Sequence, residues 1–277
     1  MPERDAPADD RGTWAGDLDL ITRAAEEAGR TALGFFRNAP DVTWKHGGRS
    51  PVSTADYAAN DVLKEMLLPA RPNYGWLSEE TDDDPARLSC ETLFVVDPID
   101  GTRAFIAGKD LWCVSVAVVH RGRPVAGVLY APALGEVFQA TCDGPALKNG
   151  ARIATTDGAA GAGDSLLKVA SAEDMIARLE PGFRNGVHRV PHVPSLAYRI
   201  AMVADGRIDG TIVKTGSHDW DLAAADLILE RAGGQLATLE ATALTYNRPS
   251  VKHTVLCAAT ASRLAGLIAA GQAMEGH

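Results

Sequence analysis

The segment Thr92–Thr102 constrains this chain more than any other. A short apolar, strand-like run, Thr92–Val96, ends in Asp97-Pro98-Ile99-Asp100-Gly101-Thr102. Any fold the chain adopts must therefore hold two carboxylates close together at a strand end. Carboxylates placed this way repel unless cations neutralise them, and a hard divalent metal is the natural occupant. Pro98 stiffens the turn, and Gly101 permits close backbone approach to a ligand. The amides of Gly101 and Thr102 can open a short helix toward phosphate. An acidic turn after a strand is also a common structural device, since Asp-Pro is an ordinary turn signal.

Two further acidic segments bear on that choice. Leu77-Ser78-Glu79-Glu80 follows another strand-like segment and puts Glu79 at its C-terminal end, whereas Asp82–Asp84 reads as a solvated loop. Ser217-His218-Asp219-Trp220-Asp221 precedes a strongly apolar helix beginning Leu222-Ala223-Ala224-Ala225. Capping that helix needs one acidic residue. If Asp219 serves as the cap, Asp221 is free for metal.

The rest of the chain alternates between two periods. Apolar residues recur at helical spacing over Trp14–Phe36 and Ala55–Leu68, the second helix capped by Ser53 or Thr54 and stopped by Pro69. Tyr74–Leu77 reads as a strand, and Leu111–His120 and Val125–Tyr130 form a hairpin around Arg121-Gly122-Arg123-Pro124. Later segments place strands at Leu166–Val169, Val187–Val190, Gly210–Val213 and Thr254–Ala258. Helices are expected at Ser195–Ala204, Trp220–Ala232 and Ala261–Ala270. Interleaving with hairpins, without strict βαβ order, favours a layered α/β sandwich over a barrel or a Rossmann sheet. Residues 1–12 read as a loose tail, and the Gly/Ala/Asp stretch Asp157–Asp164 as a subdomain boundary.

Composition narrows the function classes. With 277 residues the chain can build one large core or two packed subdomains. A 46% hydrophobic content excludes disorder, and a formal net charge of −9 lacks the footprint of a duplex DNA binder. The four cysteines, Cys90, Cys113, Cys142 and Cys257, contain no CxxC pair, so neither structural zinc nor a disulfide framework is expected. The Pro-rich acidic N-terminus lacks the features of a signal peptide, and no apolar run suits a membrane span. The expectation is a cytoplasmic protein with no membrane, DNA or RNA partner.

Taken together, Ser53-Thr54-Ala55-Asp56, Ser78-Glu79-Glu80, Asp97–Thr102 and Trp220-Asp221 with its alanines resemble the blocks of the inositol monophosphatase superfamily. Asn149-Gly150 and Val203–Asp209 add to the likeness, which spans roughly Leu18 to Ala259. These are metal-dependent, lithium-sensitive phosphatases. The resemblance implies an α+β fold, a five-layer αβαβα sandwich of two mixed subdomains, here residues 13–160 and 161–277. It assigns a first Mg²⁺ to Glu79, Asp97 and the Ile99 carbonyl, and a second to Asp97, Asp100 and Asp221. A third would be helped by Glu79. Asp56 and Thr102 would pair beside the nucleophilic water, and the Gly101 and Thr102 amides would hold phosphate. Cys113 lacks the Gly-rich loop ending in Arg that a thiol phosphatase needs.

The substrate expected is a small phosphorylated metabolite. Inositol monophosphatases carry an acidic, hydroxyl-recognising residue seven positions before the Trp-Asp aspartate; here that position is Lys214. A cation there suits a second phosphate, with Arg103, Lys109, Arg199 and Arg207 as possible helpers. Trp76–Glu80 and Arg103–Ile106 look closest to the bacterial 3′(2′),5′-bisphosphate nucleotidase branch, which converts 3′-phosphoadenosine 5′-phosphate to AMP. Inositol-1-monophosphatase or a related sugar-phosphate phosphatase, histidinol-phosphatase, and a catalytically silent metal- or nucleotide-binding regulator are the alternatives. A homodimer is left open. Residues 38–51, with Lys45–Arg49 at their centre, are a candidate flap over the metals.

Overall fold

The structure, a computed structural model, describes residues 11–38, 41–45, 50–156 and 166–275. Residues 39–40 and 46–49 of the flap candidate and all of the Asp157–Asp164 boundary lie outside the described residues. Chain order begins with α1 (Arg11–Phe35), the hairpin β1 (Val42–Lys45) and β2 (Ser50–Ser53), then α2 (Thr54–Ala70) and β3 (Gly75–Ser78). After a 3₁₀ turn come β4 (Thr92–Asp100), α3 (Thr102–Ile106), β5 (Cys113–His120), β6 (Arg123–Ala131) and β7 (Glu136–Thr141). The short strands β8 (Leu147–Lys148) and β9 (Ala151–Arg152) close this half. The second half runs β10 (Leu167–Val169), α4 (Glu173–Arg178), α5 (Pro181–Arg184), β11 (Val187–Arg189), α6 (Leu196–Ala204) and β12 (Gly210–Val213). It ends with α7 (Asp219–Arg231), β13 (Gly234–Thr238), β14 (Leu256–Thr260) and α8 (Ala261–Glu275).

Two sheets carry the fold. Strands β3 to β9 form a seven-stranded sheet in sequential order, and a five-stranded sheet follows the order β11-β10-β12-β14-β13. Side-chain alternation along β4 assigns its two faces: Phe94 and Val96 pack with Ile21 and Ala28 of α1 and Leu63 of α2. Leu93 and Val95 point the other way, into a core shared with Ile200 of α6 and Leu227 of α7. Leu256 and Ala258 of β14 belong to that same core, while Cys257 and Ala259 face Leu264 and Leu267 of α8. The period of two thus stacks five layers, helix-sheet-helix-sheet-helix, as the resemblance implied.

Several elements differ from the sequence reading. α1 starts at Arg11, inside the segment read as tail. Pro69 lies within the last turn of α2 instead of stopping it, because a proline that close to the C-terminus removes only one late helix bond. The hairpin turn contracts to Arg121-Gly122, both at positive φ (48° and 79°), the geometry a two-residue hairpin requires. Arg123 and Pro124 enter β6, with Pro124 beside a register shift that spares a ladder bond. Strand β13 went unread because its leading glycines look like a helix cap alone. Among the described residues no helix is long and apolar enough to cross a membrane.

A buried acid on α7 supplies a stability prediction. Asp226 accepts a hydrogen bond from the Tyr246 hydroxyl at 2.8 Å and lies 3.5 Å from the Arg123 guanidinium. Burial pushes its carboxyl up to about 6, only partly opposed by Arg123 and Tyr246. An unfolded aspartate titrates near 4, so between about pH 4 and 6 the native state binds more protons than the unfolded one. Stability from this group is present below that window and lost as pH rises through it, by on the order of 3 kcal/mol. Asp226→Asn removes the titration. In urea denaturation, wild type is expected to lose stability relative to Asp226→Asn between pH 4.5 and 7.5; a constant difference would contradict this.

Candidate active site

A break in strand pairing explains how Asp97 and Asp100 come together. On a regular strand, residues three apart face opposite sides. β4 pairs Asp97 with Ser115 and Asp100 with Cys113, so Pro98 and Ile99 together oppose one residue of β5. This bulge re-aims the strand end and lets both acids line one cavity. The Ile99 amide donates to Asp97 at 3.0 Å and fixes that carboxylate. Gly101 follows at φ 95°, where a Cβ would sit 3.1 Å from the Ser195 Cβ and 3.2 Å from the Leu111 carbonyl. Glycine is required there on both counts. The packed rings of Phe36, Phe105 and Trp112 support α3 from below.

Two helix starts deliver the other acids. Ser53 caps α2, and Asp56 returns to it by accepting from the Ser53 amide at 2.8 Å and its hydroxyl at 2.6 Å. The second Asp56 oxygen lies 3.1 Å from the Thr102 hydroxyl, which also lies 3.0 Å from the Ile99 carbonyl. The expected Asp56–Thr102 pair is therefore formed. At α7, one Asp221 oxygen accepts the His218 amide at 2.7 Å in a capping arrangement. Asp219 does not serve as that cap: its oxygens accept the Asn247 amide at 3.0 Å and meet His253 at 2.7 Å. Having two oxygens, Asp221 both caps the helix and reaches the acidic cluster.

The cluster consists of Glu79, Asp97 and Asp221, with one oxygen from each lying within 4.8 Å of the others. Burial, then repulsion from its acidic neighbours, pushes both Glu79 and Asp97 well above the usual carboxylate range. Acids held this closely call for a compensating positive charge, and three converging carboxylate oxygens fit a hard divalent cation. Asp100 stands beside them, its carboxyl raised to about 7 by burial and by Asp221. It differs in its bonds: the Ser195 hydroxyl and the amides of Leu196 (3.2 Å) and Ala197 (2.7 Å) donate to it. The structure thus groups Asp97 and Asp221 with Glu79, and ties Asp100 to the start of α6.

These residues surround a cavity of about 380 Å³ that also includes Gly101 and Thr102. Arg103, Lys109, His192 and Pro194 are also in its wall. The first two are cations that the sequence offers as helpers, whereas nothing in the local pattern marks His192. Ser195 was readable only as a helix cap; its bond to Asp100 spans 95 positions. Lys214 lies in the adjoining cavity, and its amine pairs with Asp174 at 2.6 Å. Cys113 is fully buried with its thiol pushed far up by burial, which suits a core residue and not a nucleophile.

An acidic centre at a bulged strand end, beneath a helix start in a five-layer sandwich, defines a metal-binding phosphatase. The chain belongs to the inositol monophosphatase family, which it matches over residues 17–275. It is 33% identical to an inositol-1-monophosphatase of Mesorhizobium japonicum, covering 80% of this chain and 85% of that one. A histidinol-phosphatase of Chlorobaculum parvum is 32% identical, over 79% and 84% of the two chains. A 3′-phosphoadenosine 5′-phosphate phosphatase of Mycobacterium bovis is 30% identical, over 87% and 86%. Among solved structures, the extragenic suppressor protein suhB of Bartonella henselae superposes with a TM-score of 0.80 at 26% identity, covering 94% and 98%. Relatives of three substrate classes thus stand between 30% and 33% identity.

Proposed function

We propose that this chain is a Mg²⁺-dependent hydrolase of a phosphorylated ring alcohol, in the inositol- and sugar-phosphate class. The observation that carries the reading is the Glu79–Asp97–Asp221 cluster facing the same cavity as Gly101 and Thr102. When bound, divalent cations supply neutralisation of the phosphoryl oxygens and activation of water. Glu79, Asp97, Asp221 and the Ile99 carbonyl would hold them, with Asp100 completing the second site. Asp56 accepts the Thr102 proton and so turns the hydroxyl's lone pairs outward, where they orient an attacking water. Burial raises the Asp56 carboxyl, which suits it to take up a proton from that pair. Gly101 and Thr102 form the floor on which the phosphate rests.

The inositol-phosphate reading is favoured over the nucleotidase by the relatives' identity, 33% against 30%. One observation keeps the 3′(2′),5′-bisphosphate nucleotidase reading as second: Lys214 replaces a hydroxyl-recognising acid and lines the cavity beside Asp221. Phosphate release from myo-inositol 1-phosphate, 3′-phosphoadenosine 5′-phosphate, histidinol phosphate and fructose 1,6-bisphosphate, with and without Mg²⁺, separates them. Mg²⁺-dependent turnover of the inositol or sugar ester is the expected result. A nucleotide kcat/KM about 100-fold higher, equivalent to about 2.7 kcal/mol of transition-state preference, decides for the second reading.

A further inference from the structure

Arg199 is the anomaly of this site. It lies on α6 with only 9% of its surface exposed, yet no carboxylate pairs with it among the described residues. Its Nε has no hydrogen-bond partner, and its Nη1 reaches the Val193 carbonyl only at 3.4 Å. Buried guanidinium groups ordinarily sit in ion pairs, because an uncompensated buried charge is strongly destabilising. Asp100 is the acid that acts on it electrostatically, but Asp100 already accepts from Ser195, Leu196 and Ala197.

The unpaired guanidinium lines a cavity of about 360 Å³ that adjoins the metal-site cavity, the two sharing His192 and Asp221. Ser217 lines it as well, 8% exposed, and its hydroxyl oxygen is likewise without a partner. The surrounding field is positive although the chain is acidic overall: after burial, Arg199, Arg189, Lys109 and Lys214 all hold the His192 ring below its ordinary value. Lys214 differs from Arg199 in that its charge is already matched by Asp174.

We infer that Arg199 and Ser217 form a subsite for a second anionic group, phosphate or carboxylate, on the substrate whose ester is cleaved at the acidic centre. The inference rests on the phosphatase reading and sharpens its substrate class. The preferred ring carries its reacting phosphate over Gly101 and Thr102 and a second anion against α6. A planar guanidinium and a hydroxyl match the oxygens of either group. Arg199 is then the cation that discriminates between singly and doubly anionic esters, ahead of Lys214.

Matched pairs isolate the second anion. Fructose 1-phosphate against fructose 1,6-bisphosphate, and adenosine 3′-monophosphate against adenosine 3′,5′-bisphosphate, add one phosphate. Glucose 1-phosphate against glucuronic acid 1-phosphate adds one carboxylate. Wild type is expected to favour the doubly anionic member of at least one pair by ten-fold or more in KM, and the winning pair names the anion. Arg199→Gln should abolish that preference with KM for the single anion changed less than about two-fold, and Arg199→Lys should restore part of it. Equal KM within every pair in wild type overturns the inference, as does an Arg199→Gln protein that keeps the preference. So does a uniform kcat loss on all esters, which would mean that Arg199 merely balances Asp100. Calorimetric binding of the same pairs needs no turnover: if wild type hydrolyses neither these six nor myo-inositol 1-phosphate and histidinol phosphate, the phosphatase reading fails. The subsite then stands or falls on whether Arg199→Gln weakens binding of the doubly anionic member alone.

Discussion

Asp97→Asn is expected to lower kcat/KM by on the order of 10³- to 10⁵-fold while raising the melting temperature of the metal-free protein. The catalytic loss follows from the position of Asp97 at the junction of the acidic cluster, where it faces both Glu79 and Asp221. The gain follows from the same geometry. Without cations, Asp97 is fully buried among acids, and its ionised form is opposed by burial and by repulsion from Glu79, Asp100 and Asp221. Asparagine keeps an oxygen for the Ile99 amide and deletes the charge. Phosphate release and thermal melts in chelator read both effects, with an increase of several degrees expected. A retained turnover would remove Asp97 from the site, and a lower melting temperature would make its role structural.

Chelation should abolish turnover completely, and added Mg²⁺ should restore it. Divalent cation should also stabilise the fold, because three acids brought within 4.8 Å of one another are compensated only when it binds. Ligand linkage sets the scale: Mg²⁺ at one hundred times its dissociation constant adds about 2.7 kcal/mol. Melting curves across a Mg²⁺ titration measure this, and Asp97→Asn or Glu79→Gln should flatten the response. A wild-type melting temperature indifferent to Mg²⁺, with turnover surviving in chelator, would sink the metal centre.

The site was legible where its geometry is local. Asp56 lies three residues after Ser53, and Asp221 three after His218, so each helix start places its own acid at a helix terminus. Asp97 and Asp100 flank a Pro-containing bulge at the end of a strand, again a matter of a few residues. Glu79 directly follows β3, which pairs in parallel with β4 and so ends at the same edge of the sheet. Layer order was not legible: Leu93 to Val96 and Leu256 to Ala259 are apolar throughout, so the five-layer order came from the family resemblance, and only the structure assigns each face its own core.

What stayed hidden depends on partners far along the chain. The sequence alone offered Asp219 as the cap at the start of α7, freeing Asp221 for metal. Only the fold brings Asn247 and His253 to Asp219 and leaves Asp221 to do both jobs. By itself, the sequence determined which acids stand at the ends of strands and helices, because caps, bulges and strand ends are written within four or five residues. Tertiary structure alone decided which cations are already matched. Lys214 finds Asp174 forty residues away, while Arg199 is buried by the packing of α6 with no acid paired to it among the described residues. Charge compensation is set by proximity in space, and a linear pattern of residues does not carry it.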